Sequence, residues 1–173
     1  IVKYVAENKK KYGYPKALSV QNTKNSTERS YKIQKILSDA GLNKGVTLSL
    51  QSMNKDTLKS VNRHNISINV FQELQHKFTS DNVETYTDII LALPKETYDT
   101  FKEGVSSVIE NGQHNRIQFN NLSLLPNAEM GDPQYQKRYD FVVRETKIIN
   151  VHGSLDDTGE VYETQQLVVG THT

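Results

Sequence analysis

Apolar residues recur along this chain in two alternating periods, and the switch between them organises it. Over 45–54, GVTLSLQSMN, the apolar Val46, Leu48 and Leu50 alternate with Thr47 and Ser49, the period of two that marks a strand. Gln51, Ser52 and Asn54 follow with no apolar cover. The carboxyl end of this strand is therefore where a ligand would be held, because open α/β sheets and α/β barrels both keep their sites there.

The switch repeats in both directions. Val2, Tyr4 and Val5 predict the buried stripe of a short first helix, with Lys9, Lys10 and Lys11 complementing its dipole and Gly13 and Pro15 stopping it. Residues 16–22 predict a strand that ends in Gln21 and Asn22. Ser26 as N-cap, the spacing of Tyr31, Ile33, Ile36, Leu37 and Ala40, and Gly41 at the end predict a helix over 27–40. The strand over 46–51 then comes roughly 30 residues after the previous one, the length of a βαβ unit.

Leu58 and Val61 mark a short helix beginning near Lys55 or Asp56, and Arg63, His64 and Asn65 leave it as a polar cluster. Val70, Phe71, Leu74 and Phe78 mark a second helix. Over 84–93 the contiguous Ile89, Ile90 and Leu91 suit a strand covered on both faces. Pro94 ends that strand, and Glu96 and Thr97 open a helix striped by Tyr98, Phe101, Val105, Val108 and Ile109. Residues 116–121 give a fourth strand, carried out through Leu124, Leu125 and Pro126. Four alternations of strand and helix predict an α/β fold with a mostly parallel sheet. After Pro133 the pattern changes to a helical turn over 135–139, a β-rich run over 141–151 and a strand over 162–171. This tail is expected to form a hairpin or an edge of the main sheet, guarded by Lys and Arg.

Composition narrows the function classes. The 173 residues are 35% hydrophobic and 24% charged, as in one globular domain. No apolar run approaches the roughly 20 residues that a membrane-spanning helix needs, and the expected place is the cytoplasm. The formal net charge of +1 gives no field to draw nucleic acid. Cys is absent from the sequence, which rules out disulfides, thiolate metal sites and a cysteine nucleophile within these residues. The start, IVKYVAENKKKYGY, reads as the back half of a helix, so the chain is expected to be an excised part of a longer protein.

The strand ends at Gln21 and Asn22, at Gln51 and Ser52, in ALPKET and in LLPN would line one rim. The bland alternative is that every such loop is polar because it is solvated. His64, His76, His114 and His152 lack metal-ligand spacing. Asp88 inside an apolar strand is either a structural partner or a rim ligand. Ser52 has no nucleophile elbow, Lys95 follows Pro94 in a surface turn, and no GxGxxG or Walker loop occurs.

The strings SLQSMN with TLKSVNR downstream, TDIILALPKETYDTF and GQHNRIQFNNLSLLPNAEM, in this order, resemble the later half of a radical S-adenosylmethionine (SAM) barrel. The resemblance is greatest to the subgroup with a cobalamin-binding domain, and runs from about Lys16 to Met130. It implies a partial TIM-like (β/α) barrel over 1–130, with 131–173 as a β-rich extension of the same domain. Two positions depart from the family pattern: Ala92 stands where the family has glycine, and Gln51 where many relatives have Glu. The family's CxxxCxxC loop, which holds three irons of a 4Fe-4S cluster, has no counterpart here.

By resemblance, Gln51 and Ser52 lie near the ribose or methionine of S-adenosylmethionine, and Arg63 points toward the methionine carboxylate. Leu91, Ala92 and Leu93 lie beside adenine, Leu125 and Pro126 close over the ring, and Asn22 faces the methionine end. The cluster and any cobalamin are expected outside these residues, and the chain alone is expected to be inactive. The open barrel edge near 17–21 is expected to favour self-association. Two rivals remain at this stage: a stand-alone nucleotide-binding module and a non-catalytic interaction domain.

Overall fold

A computed structural model describes residues 1–20, 28–43, 45–147 and 164–171. Six helices and six strands are placed within them: α1 Val2–Tyr12, α2 Glu28–Asp39, β1 Val46–Thr47, α3 Lys55–Ser60, α4 Ile68–Ser80, β2 Thr85–Leu91, α5 Tyr98–Glu110, β3 Arg116–Asn121, β4 Ser123–Leu124, α6 Pro133–Arg138, β5 Val142–Lys147 and β6 Thr164–Gly170. The first sheet has the order β1-β2-β3 and is parallel throughout. The second has the order β4-β6-β5 and is antiparallel.

The helix ends follow local chemistry. Asn54 caps α3 by accepting from the Thr57 amide, and Ser67 caps α4 by accepting from the Val70 amide. Thr97 and Thr100 form a reciprocal capping box at the start of α5. Gly13 ends α1 in the left-handed region at φ 76°, a conformation open to glycine at little cost.

Two apolar cores result. Val46, Leu48, Leu50 and Ile89 on one face of the parallel sheet pack against Phe71, Leu74 and Phe78 of α4 and Val108 of α5. Leu93, Leu122, Leu124 and Val168 form the second core, with Val61, Ile90, Met130 and Phe141 against it. The antiparallel sheet thus sits where the parallel strands end. Between α4, β2 and the turn after α5 lies a buried polar knot: Gln75 donates to Gln113, Thr85 donates to Gln75, and Gln113 donates to the carbonyls of Thr85 and Arg116.

Four sequence expectations need correction. Residues 16–20 are irregular, tied by the Leu18 amide to the Leu42 carbonyl, and no strand among the described residues lies alongside to complete a ladder. Residues 21–22 lie outside the described part. The parallel sheet accordingly shows three strands among the described residues rather than four. The first helix has no buried residue, and Tyr4 is exposed, because the described elements cover it only through α2. Finally, the strand expected over 46–51 is interrupted. Leu48 bonds to Tyr86 in register, but the next amide to reach β2 is Gln51, bonding to Asp88, so one extra residue is accommodated between them.

Candidate functional site

The extra residue re-aims the end of β1. Gln51 takes φ 63°, and the Ser52 amide donates back to the Leu50 carbonyl at 2.8 Å, closing a three-residue turn. Gln51 remains bridged to β2 through Asp88 and Ile90. Its side-chain amide is half-buried and makes no hydrogen bond to other described residues. The turn after β2 also holds left-handed residues, Ala92 at φ 62° and Lys95 at φ 64°, and is closed by the Glu96 amide donating to the Leu93 carbonyl. Non-glycine residues in this region cost roughly 1 kcal/mol or more each and persist only where the surroundings hold them.

Those surroundings are a hydrogen-bonded chain across the strand ends. Ser52 is buried; its hydroxyl accepts from the Asn54 amide at 3.1 Å and donates to Glu96 Oε1 at 2.7 Å. Asn65 Nδ2 donates to the Ser52 carbonyl at 2.8 Å, and Arg63 Nε donates to Asn65 Oδ1 at 3.4 Å. Ser60 Oγ donates to the Pro94 carbonyl at 3.1 Å, and Tyr135 Oη of α6 donates to the Ser60 carbonyl at 2.7 Å. Burial pushes the Tyr135 phenol up to about 12.

Both ends of this chain carry a buried polar atom without a partner, Glu96 Oε2 and one terminal nitrogen of Arg63. Burial pushes the Glu96 carboxyl above its ordinary value, against the opposing effect of the Ser52 hydrogen bond. Burial alone lowers the Arg63 guanidinium, with no carboxylate entering its balance. Arg63 lines a cleft of about 750 Å³ with Leu50, Met53, Leu58, Asn65 and Ile66; Lys55, Lys59 and His64 also face it, and no carboxylate does. A desolvated cation in an acid-free cleft suits an anionic group on an apolar body.

The predicted residues divide accordingly. Gln51, Ser52 and Arg63 are brought together through Asn65, and Ser52 is joined to the Ala92 turn through Glu96. Leu91 and Ala92 are half-buried at the end of β2, while Leu93 is 2% exposed and packs into the second core. Leu125 is 65% exposed, and Pro126 beside it is exposed as well. Their loop is folded tightly, since a Cβ on Gly131 would lie 2.5 Å from the Leu125 carbonyl oxygen. Asn22 lies outside the described residues. Asp88 accepts from Ser49 Oγ at 3.1 Å, on the sheet face opposite α4 and α5. No group of metal-ligating side chains occurs among the described residues.

Glu96 and Asn65 are the residues that sequence reasoning missed. Glu96 stands in the ALPKET turn, which the sequence assigns to the rim and to a helix start without singling out this carboxyl group. Asn65 stood in the polar cluster after α3, with nothing in its spacing to single it out.

No protein-family model matches the chain. It is 35% identical over 160 residues to the cobalamin-dependent radical SAM methyltransferase TokK of Streptomyces tokunonensis, covering 92% of this chain and 24% of that protein. It is 34% identical over 164 residues to the 2-(S-pantetheinyl)-carbapenam-3-carboxylate methyltransferase of Streptantibioticus cattleyicolor, covering 94% of this chain and 24% of that protein. The chain thus spans about a quarter of the length of these relatives. Among solved structures, the radical SAM methyltransferase TsrM of Kitasatospora setae, with tryptophan and a SAM analogue bound, aligns over 98% of this chain and 36% of its own. The TM-score is 0.63 at 14% identity, a likeness of fold. Coproporphyrinogen III oxidase of Escherichia coli, a radical SAM enzyme, aligns over 64% of this chain and 24% of its own at TM-score 0.50 and 22% identity.

Proposed function

Starting from the chain's kinship with the cobalamin-binding subgroup of the radical S-adenosylmethionine superfamily, we propose that it builds part of the S-adenosylmethionine site of a methyltransferase barrel. The observation that carries this reading is the rim itself, where the left-handed turns at Gln51 and Ala92 are joined by Ser52 and Glu96 beside a desolvated Arg63. Sequence identity of 35% over 92% of the chain supports the assignment.

The residues present fit the nucleoside and amino-acid parts of that cofactor. The unengaged Gln51 amide would read a ribose hydroxyl, and the half-buried Leu91 and Ala92 would offer an apolar edge to adenine. Arg63, with a buried terminal nitrogen lacking an acceptor, offers a planar fork to the methionine carboxylate. Leu125 and Pro126 would close over the ring from their exposed loop, and Asn22 would face the methionine end. The residues do not fit an iron-sulfur cluster, because a sequence without cysteine offers no thiolate. When bound, S-adenosylmethionine with a reduced cluster would supply radical chemistry and cobalamin would supply methyl transfer, with the cluster and the cobalamin held outside these 173 residues. We take the substrate to be a small molecule and the protein to act in the cytoplasm.

Titration of S-adenosylmethionine and adenosine into the protein carrying this chain, and into its Arg63→Ala and Arg63→Lys variants, tests the reading. Loss of a charged hydrogen bond costs roughly 1.5–3 kcal/mol, or about one to two decades of affinity for Arg63→Ala. Lys should recover only part, since an ammonium cannot make the fork, and adenosine affinity should not change. Unchanged S-adenosylmethionine affinity in a well-folded Arg63→Ala protein removes Arg63 from the site. Equal affinity for both ligands in the unmodified protein favours a general nucleoside module.

A further inference from the structure

Residues 125–141, between β4 and β5, fold back on themselves. The Leu125 carbonyl accepts from the Ala128 amide at 3.0 Å, and the Gly131 amide donates to the Ala128 carbonyl at 2.8 Å. A Cβ on Gly131 would lie 2.5 Å from the Leu125 carbonyl oxygen and 2.9 Å from that of Pro126, so glycine is what lets the backbone return this closely. Gln136 of α6 donates to the carbonyls of Met130 and Gly131, both at 3.2 Å, and Asp132 caps α6 by accepting from the Gln134 amide. Leu125 is thereby tied, link by link, to α6. It nevertheless stays 65% exposed, so the tightness of this turn does not serve its own burial.

The segment is attached to the rest of the fold in two ways. Met130 and Phe141 pack on the second core, through apolar contacts that carry no direction. The directional attachment is Tyr135. Its hydroxyl donates to the Ser60 carbonyl at 2.7 Å, across 75 residues of sequence, and among the described residues no other hydrogen bond leaves 125–141. Ser60 ends α3, and its own hydroxyl donates to the Pro94 carbonyl at 3.1 Å, in the turn that holds Ala92. The Tyr135 ring lies edge-on to Phe141 at 5.8 Å and tilted on Tyr139 at 4.8 Å between centroids, which fixes where its hydroxyl points.

We infer that Tyr135 is a positioning residue: through the Ser60 carbonyl its hydroxyl fixes the segment 125–141 against the end of α3, and so sets how far Leu125 and Pro126 stand from the Ala92 turn. Tyr135, Ser60 and Pro94 form one hydrogen-bonded line from α6 to the turn after β2. The consequence for ligand binding rests on the reading given above, in which Leu125 and Pro126 close over the adenine ring and Ala92 borders it. An effect on the ring is shared by S-adenosylmethionine and adenosine, unlike an effect at the methionine end.

The test compares the protein carrying this chain with its Tyr135→Phe variant, which keeps the ring and loses only the hydroxyl. Tyr139→Phe is the control, since the Tyr139 hydroxyl makes no hydrogen bond to other described residues. Amide hydrogen exchange is read at Ala128, Gly131 and Asp132, whose amides are bonded within the segment. Affinity is read by titration with S-adenosylmethionine and with adenosine. Tyr135→Phe should raise exchange at these amides and weaken both ligands by one shared factor of about five, the worth of one uncharged hydrogen bond. Tyr139→Phe should change neither readout. Unchanged exchange in Tyr135→Phe, or an equal rise in Tyr139→Phe, overturns the anchor. Raised exchange with no loss of adenosine affinity overturns its bearing on the ring. Should the unmodified protein bind neither ligand, the cofactor reading falls, and the exchange data alone uphold or overturn the anchor.

Discussion

Ser52 Oγ donates to Glu96 Oε1 at 2.7 Å, so a carboxyl group partly removed from water is held by a single hydroxyl. Burial is the larger influence and raises its pKa above the ordinary glutamate value. A raised carboxyl binds its proton more tightly folded than unfolded. Its contribution to stability is therefore fully present below the ordinary value and is lost as pH rises through the raised one. We expect the stability of the protein relative to Glu96→Gln to improve on acidification from about pH 7 to about pH 4, across the glutamate range. Urea melts of both proteins at matched pH check this, and parallel pH profiles would count against it.

Ala92 carries a methyl group at φ 62°, in a position where the resembling family has glycine. Replacement by glycine removes the left-handed penalty of roughly 1–2 kcal/mol and adds back up to about 1 kcal/mol of unfolded-state entropy. Ala92→Gly is expected to be neutral to stabilising by about 1 kcal/mol, opposite to the usual direction for this substitution. It also clears the backbone for closer approach of a flat ligand. Denaturant midpoints report the first effect and S-adenosylmethionine titration the second; a loss of more than about 1 kcal/mol would show that the methyl group is a needed packing element.

Gln113 is 1% exposed and holds the Gln75 and Thr85 knot. Gln113→Ala strands the Gln75 amide and the Thr85 carbonyl in the interior, at about 1–3 kcal/mol for each group left without a partner. The urea midpoint should fall accordingly with little change in slope. A loss below about 1 kcal/mol would mean that water enters and takes over both groups.

The 173-residue chain has no cysteine. Anaerobic reconstitution of this chain with iron and sulfide should give no cluster absorbance, and incubation with S-adenosylmethionine and reductant should give no 5′-deoxyadenosine. Stable cluster incorporation with cofactor cleavage would overturn that expectation. Light scattering on the same sample tests whether the β1 edge, paired on one side only among the described residues, drives self-association.

The sequence by itself determined the elements whose signals are local. The stripes of α4 and α5, the start of α5 at Glu96 and Thr97 and the apolar run of β2 are each written within a few neighbouring residues, and short-range periodicity suffices to place them. The resemblance likewise rests on contiguous strings, and it pointed to the radical S-adenosylmethionine barrel that the comparisons support. What the tertiary structure decided is everything that depends on a partner distant in sequence. The interruption of the strand at Gln51 comes from its register against Asp88 and Ile90, the irregular path over 16–20 goes with the lack of an adjacent strand among the described residues, and the burial of Leu93 comes from the antiparallel sheet packed over it. Glu96 is the sharpest case. Its solvated alternative and its inward one are equally compatible with the letters ALPKET, and only the arrival of Ser52 from a neighbouring strand gives its carboxyl group a donor.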